Sequence, residues 1–253
     1  MKRNTANNPI VIIPARMASV RLPGKPLVDI CGLPMIVQVW KRAMEAGVGP
    51  VVVACAEQEI ADAVTEAGGM AVLTNPDHPS GSDRIFEALE SVDPKGTHDC
   101  IVNVQGDLPT LESSIIGTAL EVLEQESEVD ISTLITEITR ADEINNPDVP
   151  RAIIGLAEGQ QTGRALYFSR SNAPFGDGPH YHHIGLYAYR REALTRFVAL
   201  PPGILEQREK LEQLRALENG MRIDARLVDT VPLGVDTPED LERARHILSQ
   251  SST

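Results

Sequence analysis

Cysteine is scarce, and none of it is arranged for pairing. Cys31, Cys55 and Cys100 are the only three in 253 residues, widely spaced and without a CxxC. That excludes a disulfide framework and the common zinc spacings. Cys55 and Cys100 fall in strand-like apolar runs, where a free thiol behaves as a small hydrophobe, so a reducing cytoplasm is the expected compartment. No stretch approaches the roughly 18 apolar residues that a membrane span needs. The opening MKRNTANN precedes an apolar run of only 10–13 before Pro14, too short for a signal peptide. The sequence thus reads as a soluble, unexported protein.

Basic charge is also in deficit. Lys and Arg number 23 against 36 Asp and Glu, a formal charge of −13. Without a basic surface, binding to nucleic acid or to an anionic membrane is not expected. Acids are missing in their turn from residues 1–28, which carry Lys2, Arg3, Arg16, Arg21 and Lys25. Either this is chance, or the segment lies beside an anion. Neither glycine signature of nucleotide binding, GxxxxGK[ST] or GxGxxG, is present, which weighs against a dinucleotide-dependent oxidoreductase. Internal repeats are absent, and the only biased tract is the Ser/Thr/Gln-rich ending.

What is present is ordinary globular composition, 42% apolar and 23% charged. The length fits a single domain, 1–253, with a substantial elaboration. Apolar runs at 10–13, 51–55, 70–73 and 100–104 read as buried strands, and amphipathic stretches at 35–46, 58–67, 81–92 and 112–126 as helices. This alternation predicts an α/β fold with a doubly wound, mostly parallel sheet. After residue 129 the rhythm changes. Strand patterns at 129–138, 151–156, 165–169 and 184–190 have little helix between them, so a smaller antiparallel insertion or mixed-sheet edge is expected at about 129–190. A helix at 204–219, a strand at 222–229 and a helix at 238–249 complete the chain.

Ligands of open α/β sheets bind beyond the carboxyl ends of the strands. The loop after the first strand, PARMASVRLPGKPL, offers Arg16, Arg21 and Lys25, suited to wrapping a polyphosphate, with a solvated basic loop as the plainer alternative. After the fourth strand, VNVQGDLP brings out Asp107, which fits a magnesium ligand or a turn cap equally well. Thr237-Pro238-Glu239-Asp240 is a helix start with Thr as N-cap and acids in the first turn. Asp236 precedes the cap and is not needed for it, so it pairs with Asp107 as a second candidate ligand. In the 204–219 segment, Glu206, Glu209 and Gln213 share a stripe that faces either solvent or a polyhydroxylated substrate. The HYHH run at 180–183 lacks the further acid or Cys that a zinc site would need.

Seven segments, PARMASVRLPGKPL, DHPSGSDR, VNVQGD, ALYFSR, HIGLYAYR, LEQLRALENG and VDTPEDLERAR, stand in the same order as in the 3-deoxy-manno-octulosonate (Kdo) cytidylyltransferases, which the chain resembles over nearly its whole length. The resemblance implies a nucleotidyltransferase α/β sheet, a magnesium-dependent homodimer, and transfer of CMP from CTP to the anomeric hydroxyl of Kdo for lipopolysaccharide synthesis. Another acidic sugar, an amino-octulosonate or a sialic acid, is the alternative acceptor. It further implies that Ala15, Arg16, Arg21, Lys25, Ser80 and Gly81 bind the nucleotide. Asp107 and Asp236 would hold Mg2+, and Arg16 and Lys25 would serve catalysis with them. Gln105, Arg170, His183, Tyr187, Glu206 and Gln213 would line the sugar site. Two departures from the family pattern are Leu108, where an acid is usual, and Cys55-Ala56-Glu57, where Thr-Asp is often found.

Overall fold

A strand with Ile and Val at four consecutive positions has no polar face, and it is stable only when covered on both sides. The computed structural model, which describes residues 8–250, places β1 (Pro9–Ala15) in that situation, with residues 10–13 at 0–2% exposure. Lys2, Arg3 and the closing Ser-Ser-Thr lie outside the described residues.

The chain divides into two compact units, where the sequence alone reads as one domain with an elaboration. One is built from residues 8–117 and 232–250, the other from 118–231. In the first, β1 is followed by a short 3-10 turn (Lys25–Leu27) and a two-stranded hairpin, β2 (Asp29–Ile30) and β3 (Leu33–Pro34). Cys31 and Gly32 make its two-residue turn, both at positive φ, as hairpins of this length require. Then come α1 (Met35–Glu45), β4 (Val51–Cys55), α2 (Gln58–Glu66), β5 (Met70–Leu73), α3 (Gly81–Val92) and β6 (Cys100–Asn103). Their sheet has the order β5-β4-β1-β6, all parallel, as the alternation predicts. The hairpin is not legible in the sequence because two-residue strands carry no periodicity.

Helix α4 (Ser114–Gln125) spans the boundary between the units. The second unit contains β7 (Ile131–Glu137), β8 (Arg151–Gly155), β9 (Thr162–Ser169), β10 (Tyr181–Arg190), α5 (Arg191–Val198), α6 (Ile204–Glu209), α7 (Leu214–Glu218) and β11 (Ile223–Leu227). Its sheet is mixed. β7 pairs antiparallel with β10 and parallel with β11; β11 and β8 flank β9 antiparallel, and β8 also meets β10 through Ala152 and Arg151.

The helix expected at 204–219 is a correction: two short helices stand there. Lys210 adopts the left-handed conformation, with φ 57°, and ends α6. Glu206 is the cause on the other side, because its carboxylate caps Gly203 N and then grips Arg215 in α7. The chain returns to the first unit as α8 (Pro238–Gln250). Thr237 Oγ1 accepts from Asp240 N while Asp240 Oδ2 accepts from Thr237 N, the reciprocal cap that the sequence announces. Leu241, Ala244 and Leu248 of α8 pack with Leu22, Ile30, Met35 and Val235, which is why this last helix belongs with the first hundred residues.

The largest fully buried side chain of the second unit is a charged one. Arg151, at 0% exposure, donates to the carbonyls of Glu143, Ile144, Asn146, Val149 and Arg170. A guanidinium thus organises a loop that has no regular structure of its own. Arg151→Met leaves those carbonyls without their donor, and urea denaturation is expected to show a loss of about 3 kcal/mol. A loss below about 0.5 kcal/mol, the range of a neutral surface change, would refute that role.

Candidate functional site

The first loop leaves β1 at Ala15, and the segment VQGD leaves β6 one strand away. Their approach depends on Gly106, where a Cβ would stand 2.7 Å from Pro14 O. Only glycine lets the two turns touch, and the contact delivers Asp107 to the mouth of β1. Gly24, at φ 67°, turns the first loop back so that Lys25 points to the same place. The result is a cavity of about 450 Å³ lined by Ala15, Arg16, Arg21, Lys25, Ser80, Gly81, Gln105, Asp107 and Asp236. All nine belong to one unit.

At its centre the Lys25 ammonium lies 2.8 Å from Asp107 Oδ2 and 2.9 Å from Asp236 Oδ1. Arg21 reaches the other oxygen of Asp236 at 2.8 Å. Burial pulls the Lys25 pKa down, but the carboxylates outweigh it and hold the group above the ordinary lysine value. Lys25 therefore stays protonated. Arg16 is exposed and has no hydrogen bond or ion pair among the described residues, so its guanidinium is free for an anion. Ser80 is the N-cap of α3, its hydroxyl bound to Asp83. Ser80 and Gly81 thus present the start of a helix to the cavity.

Two residues that sequence reasoning left unassigned shape this cavity. Glu57 accepts from Met17 N at 2.9 Å and so pins the first loop directly after Arg16. Arg84, 2% exposed, donates to Thr74 Oγ1 and to the carbonyls of Asn75 and Pro76, holding the segment that leads to Ser80. Arg84 stands inside the DHPSGSDR motif, which was its signal. Glu57 occupies a departure from the family pattern and had none.

Gln105 lies in this first cavity; the other expected sugar residues are in the second unit, where they divide. His183, Tyr187 and Gln213 come together. The His183 ring is 4.7 Å from that of Phe168 and 5.5 Å from that of Tyr187, and its Nδ1 is 3.3 Å from Gln213 Nε2. Burial, with His182 beside it, pushes the His183 pKa down to about 3. Burial also raises that of Tyr187 well above the ordinary phenol value. Both rings are neutral near pH 7. Glu206, by contrast, is committed to Arg215 through bonds of 2.8 and 2.6 Å. Arg170 is engaged as well: Nε donates to Glu209 O, Nη1 to Pro147 O and Nη2 to Lys210 O. Glu209, noted in the sequence only for its spacing, gathers Tyr167 OH, Ser169 Oγ and Arg170 N on its carboxylate.

A metal implied by the resemblance can be tested against these side chains. Asp107 and Asp236 are close enough to share one ammonium, and both are partly exposed, at 33% and 45%. Hard oxygen donors converging on one cation suit magnesium, which takes one or two carboxylates together with substrate phosphates. Among the described residues no group of three or more His, Cys, Asp or Glu stands ready to hold a metal without a substrate's oxygens. The residues fit.

The family model described as cytidylyltransferase matches residues 10–223. The chain belongs to the cytidylyltransferase family. It is 70% identical over 240 residues to the 3-deoxy-manno-octulosonate cytidylyltransferase of Rhodospirillum rubrum, with 95% of each chain covered. To the protein of the same name from Parvibaculum lavamentivorans it is 66% identical over 250 residues, covering 99% of this chain and 96% of the other. Among solved structures it is similar to a CMP:2-keto-3-deoxy-manno-octonic acid synthetase complexed with CTP. That match has a TM-score of 0.89 and 38% identity, over 97% of this chain and 100% of that one. A cytidylyltransferase from Leptospira borgpetersenii, at TM-score 0.61 and 16% identity over 96% of this chain and 87% of that one, shares the fold alone. No helix among the described residues of this cytidylyltransferase is long and apolar enough to cross a membrane.

The neutrality of His183 carries a stability consequence. In the unfolded chain the ring takes up a proton near pH 6.5, whereas in the fold it does so only at about 3. Between those values the unfolded state binds the extra proton, so stability falls as pH drops from 6.5 towards 3. Thermal midpoints of the native protein are expected to fall more steeply below pH 6.5 than those of His183→Gln. Parallel slopes would show that the ring charges without penalty.

Proposed function

We propose that this cytidylyltransferase moves the CMP group of CTP onto the anomeric hydroxyl of 3-deoxy-D-manno-octulosonate, releasing pyrophosphate. The product serves lipopolysaccharide synthesis, and the enzyme works in the cytoplasm as a magnesium-dependent homodimer. The observation that carries this reading is the cavity in which Lys25 joins Asp107 and Asp236 beside the open guanidinium of Arg16. The acceptor follows from the relatives named above.

In this reaction the sugar oxygen bonds to the α-phosphorus as the bond from that phosphorus to the bridging oxygen of pyrophosphate breaks. The protein's task is positioning and neutralisation of phosphate charge. Arg16 and Arg21 would bind phosphate oxygens with forked donors, and Lys25 as a point charge. Ser80 and Gly81, with Ala15 opposite, would hold the base and ribose end. Asp107 and Asp236 would exchange Lys25 for the metal and release its ammonium to the phosphates. Magnesium, when bound, supplies charge neutralisation and an electrophilic centre for phosphate oxygens. His183, Tyr187 and Gln213 would receive the sugar among neutral side chains of the second unit, and Gln105 would meet the sugar from the cavity of its own unit only if it binds there, as the resemblance implies. Arg170 and Glu206 would act on that pocket from behind, through the backbone carbonyls and the Arg215 pair that engage them.

The test is a pyrophosphate-release assay with CTP, the sugar acid and magnesium, each omitted in turn. Turnover is expected only when all three are present. Asp107→Asn is expected to lower kcat by about a hundredfold or more, the usual size of a lost electrostatic contact to the transition state. Unchanged turnover in that variant would overturn the metal assignment. Release with a sialic acid or an amino-octulosonate but not with Kdo would reassign the acceptor.

A further inference from the structure

Thr133 lies within β7, opposite the place where β10 slips its register between Ile184 and Tyr187. The slip brings two carbonyl oxygens onto one hydroxyl. Thr133 Oγ1 is 3.0 Å from Ile184 O and 2.9 Å from Leu186 O, and it is also 3.0 Å from His183 Nε2. A hydroxyl has one proton, and a carbonyl oxygen only accepts. Giving that proton to Nε2 would leave both carbonyl oxygens against Oγ1 with no hydrogen between them, so it goes to a carbonyl and the contact with the ring runs the other way: Nε2 carries the hydrogen and donates to Oγ1.

His183 is 6% exposed and neutral, so a hydrogen on Nε2 leaves Nδ1 bare. The side chain 3.3 Å from Nδ1 is Gln213, itself only 6% exposed. A bare ring nitrogen accepts, and only the NH2 end of an amide donates. The orientation of Gln213 is therefore not arbitrary. Its Nε2 faces the ring, and Oε1 faces away, accepting no hydrogen bond from any described residue. A valine at 133 would suit the strand pattern equally well, so the hydroxyl matters only where it acts, at the carbonyls of the slip and at the His183 ring.

We propose that Thr133 is a positioning residue for the sugar acceptor: through the His183 tautomer it fixes Gln213 with its amide oxygen, rather than its nitrogen, turned to the bound sugar. This rests on the reading above that His183 and Gln213 line the sugar site. An oxygen in that place accepts from a hydroxyl and repels a carboxylate. Gln213 thus selects a sugar hydroxyl, and the carboxylate of the acidic sugar is bound by other groups.

Thr133→Val removes the hydroxyl at nearly constant volume, and Thr133→Ser keeps it. With the valine, KM for the sugar is expected to rise about tenfold, the value of one hydrogen bond, while KM for CTP moves by less than about twofold. The serine variant restores most of the sugar affinity. Nitrogen-15 NMR of the native protein, with the His183 signals assigned by their loss in His183→Gln, reads the tautomer without any substrate. Nε2 is expected protonated and Nδ1 bare. A protonated Nδ1 in the native protein overturns the proposal whatever the kinetics. So does a serine variant as impaired as the valine, or an equal rise in both KM values, which would mark a merely structural role. If the valine variant fails to fold, the native tautomer and the serine kinetics decide. Absence of turnover by the native enzyme with Kdo refutes the sugar reading instead, and the NMR result then stands as the judgement on the tautomer.

Discussion

The ammonium of Lys25, held between Asp107 and Asp236, is the contact on which the cavity of the first unit depends. It joins three places far apart in the chain: the loop after β1, the turn after β6 and the residue before the cap of α8. Each partner is separately determined by local chemistry. Gly24 permits the turn that aims Lys25, Gly106 permits the approach that exposes Asp107, and the Thr237–Asp240 cap fixes the backbone beside Asp236. Two carboxylates brought this close repel one another, and the cation between them removes that cost.

The two units use opposite electrostatic strategies. The cavity of the first concentrates cations in a protein of charge −13. A patch of sign opposite to the surface focuses field lines on a polyanion. The second unit keeps its expected ligand-facing residues uncharged. His183 and Tyr187 are held neutral by burial, and the charges near them are used up: Glu206 on Arg215, Arg170 on carbonyl oxygens, Glu209 on three donors. Fully satisfied polar networks in a dry interior are rigid, because each member has a single low-energy arrangement. Arg151 holds the 143–149 loop through its two terminal nitrogens.

Much of this was legible beforehand. The four parallel strands of the first unit, their helices and the α8 cap follow from apolar runs and capping residues, and all were read within two residues. That Asp107, Asp236 and the basic loop meet was legible because the carboxyl ends of strands in an open α/β sheet converge on one crevice. Other features were not. The hairpin at 29–34 and the break at Lys210 depend on turn geometry or on contacts with no periodic trace, while α5 does carry one, with Ala193, Leu194 and Phe197 buried on one face, but is only eight residues long. Glu206 and Gln213 share a stripe if 204–219 is one helix; the left-handed Lys210 separates them, and they end in different roles. Thr133 is a plain strand former until its neighbours are known.

By itself, then, the sequence determined the fold class, the compartment of its charges and the chemical types at each strand end. Those are properties of short windows, where hydrophobic period, caps and turns act locally. Only the tertiary structure decided which charges are spent and which are free. Arg16 and Arg170 are both arginines in motifs of the same resemblance, yet one lies open to the cavity and the other is bound to three carbonyls. The difference rests on partners dozens of residues away, and a side chain's remaining hydrogen-bonding capacity is fixed by what surrounds it rather than by what adjoins it.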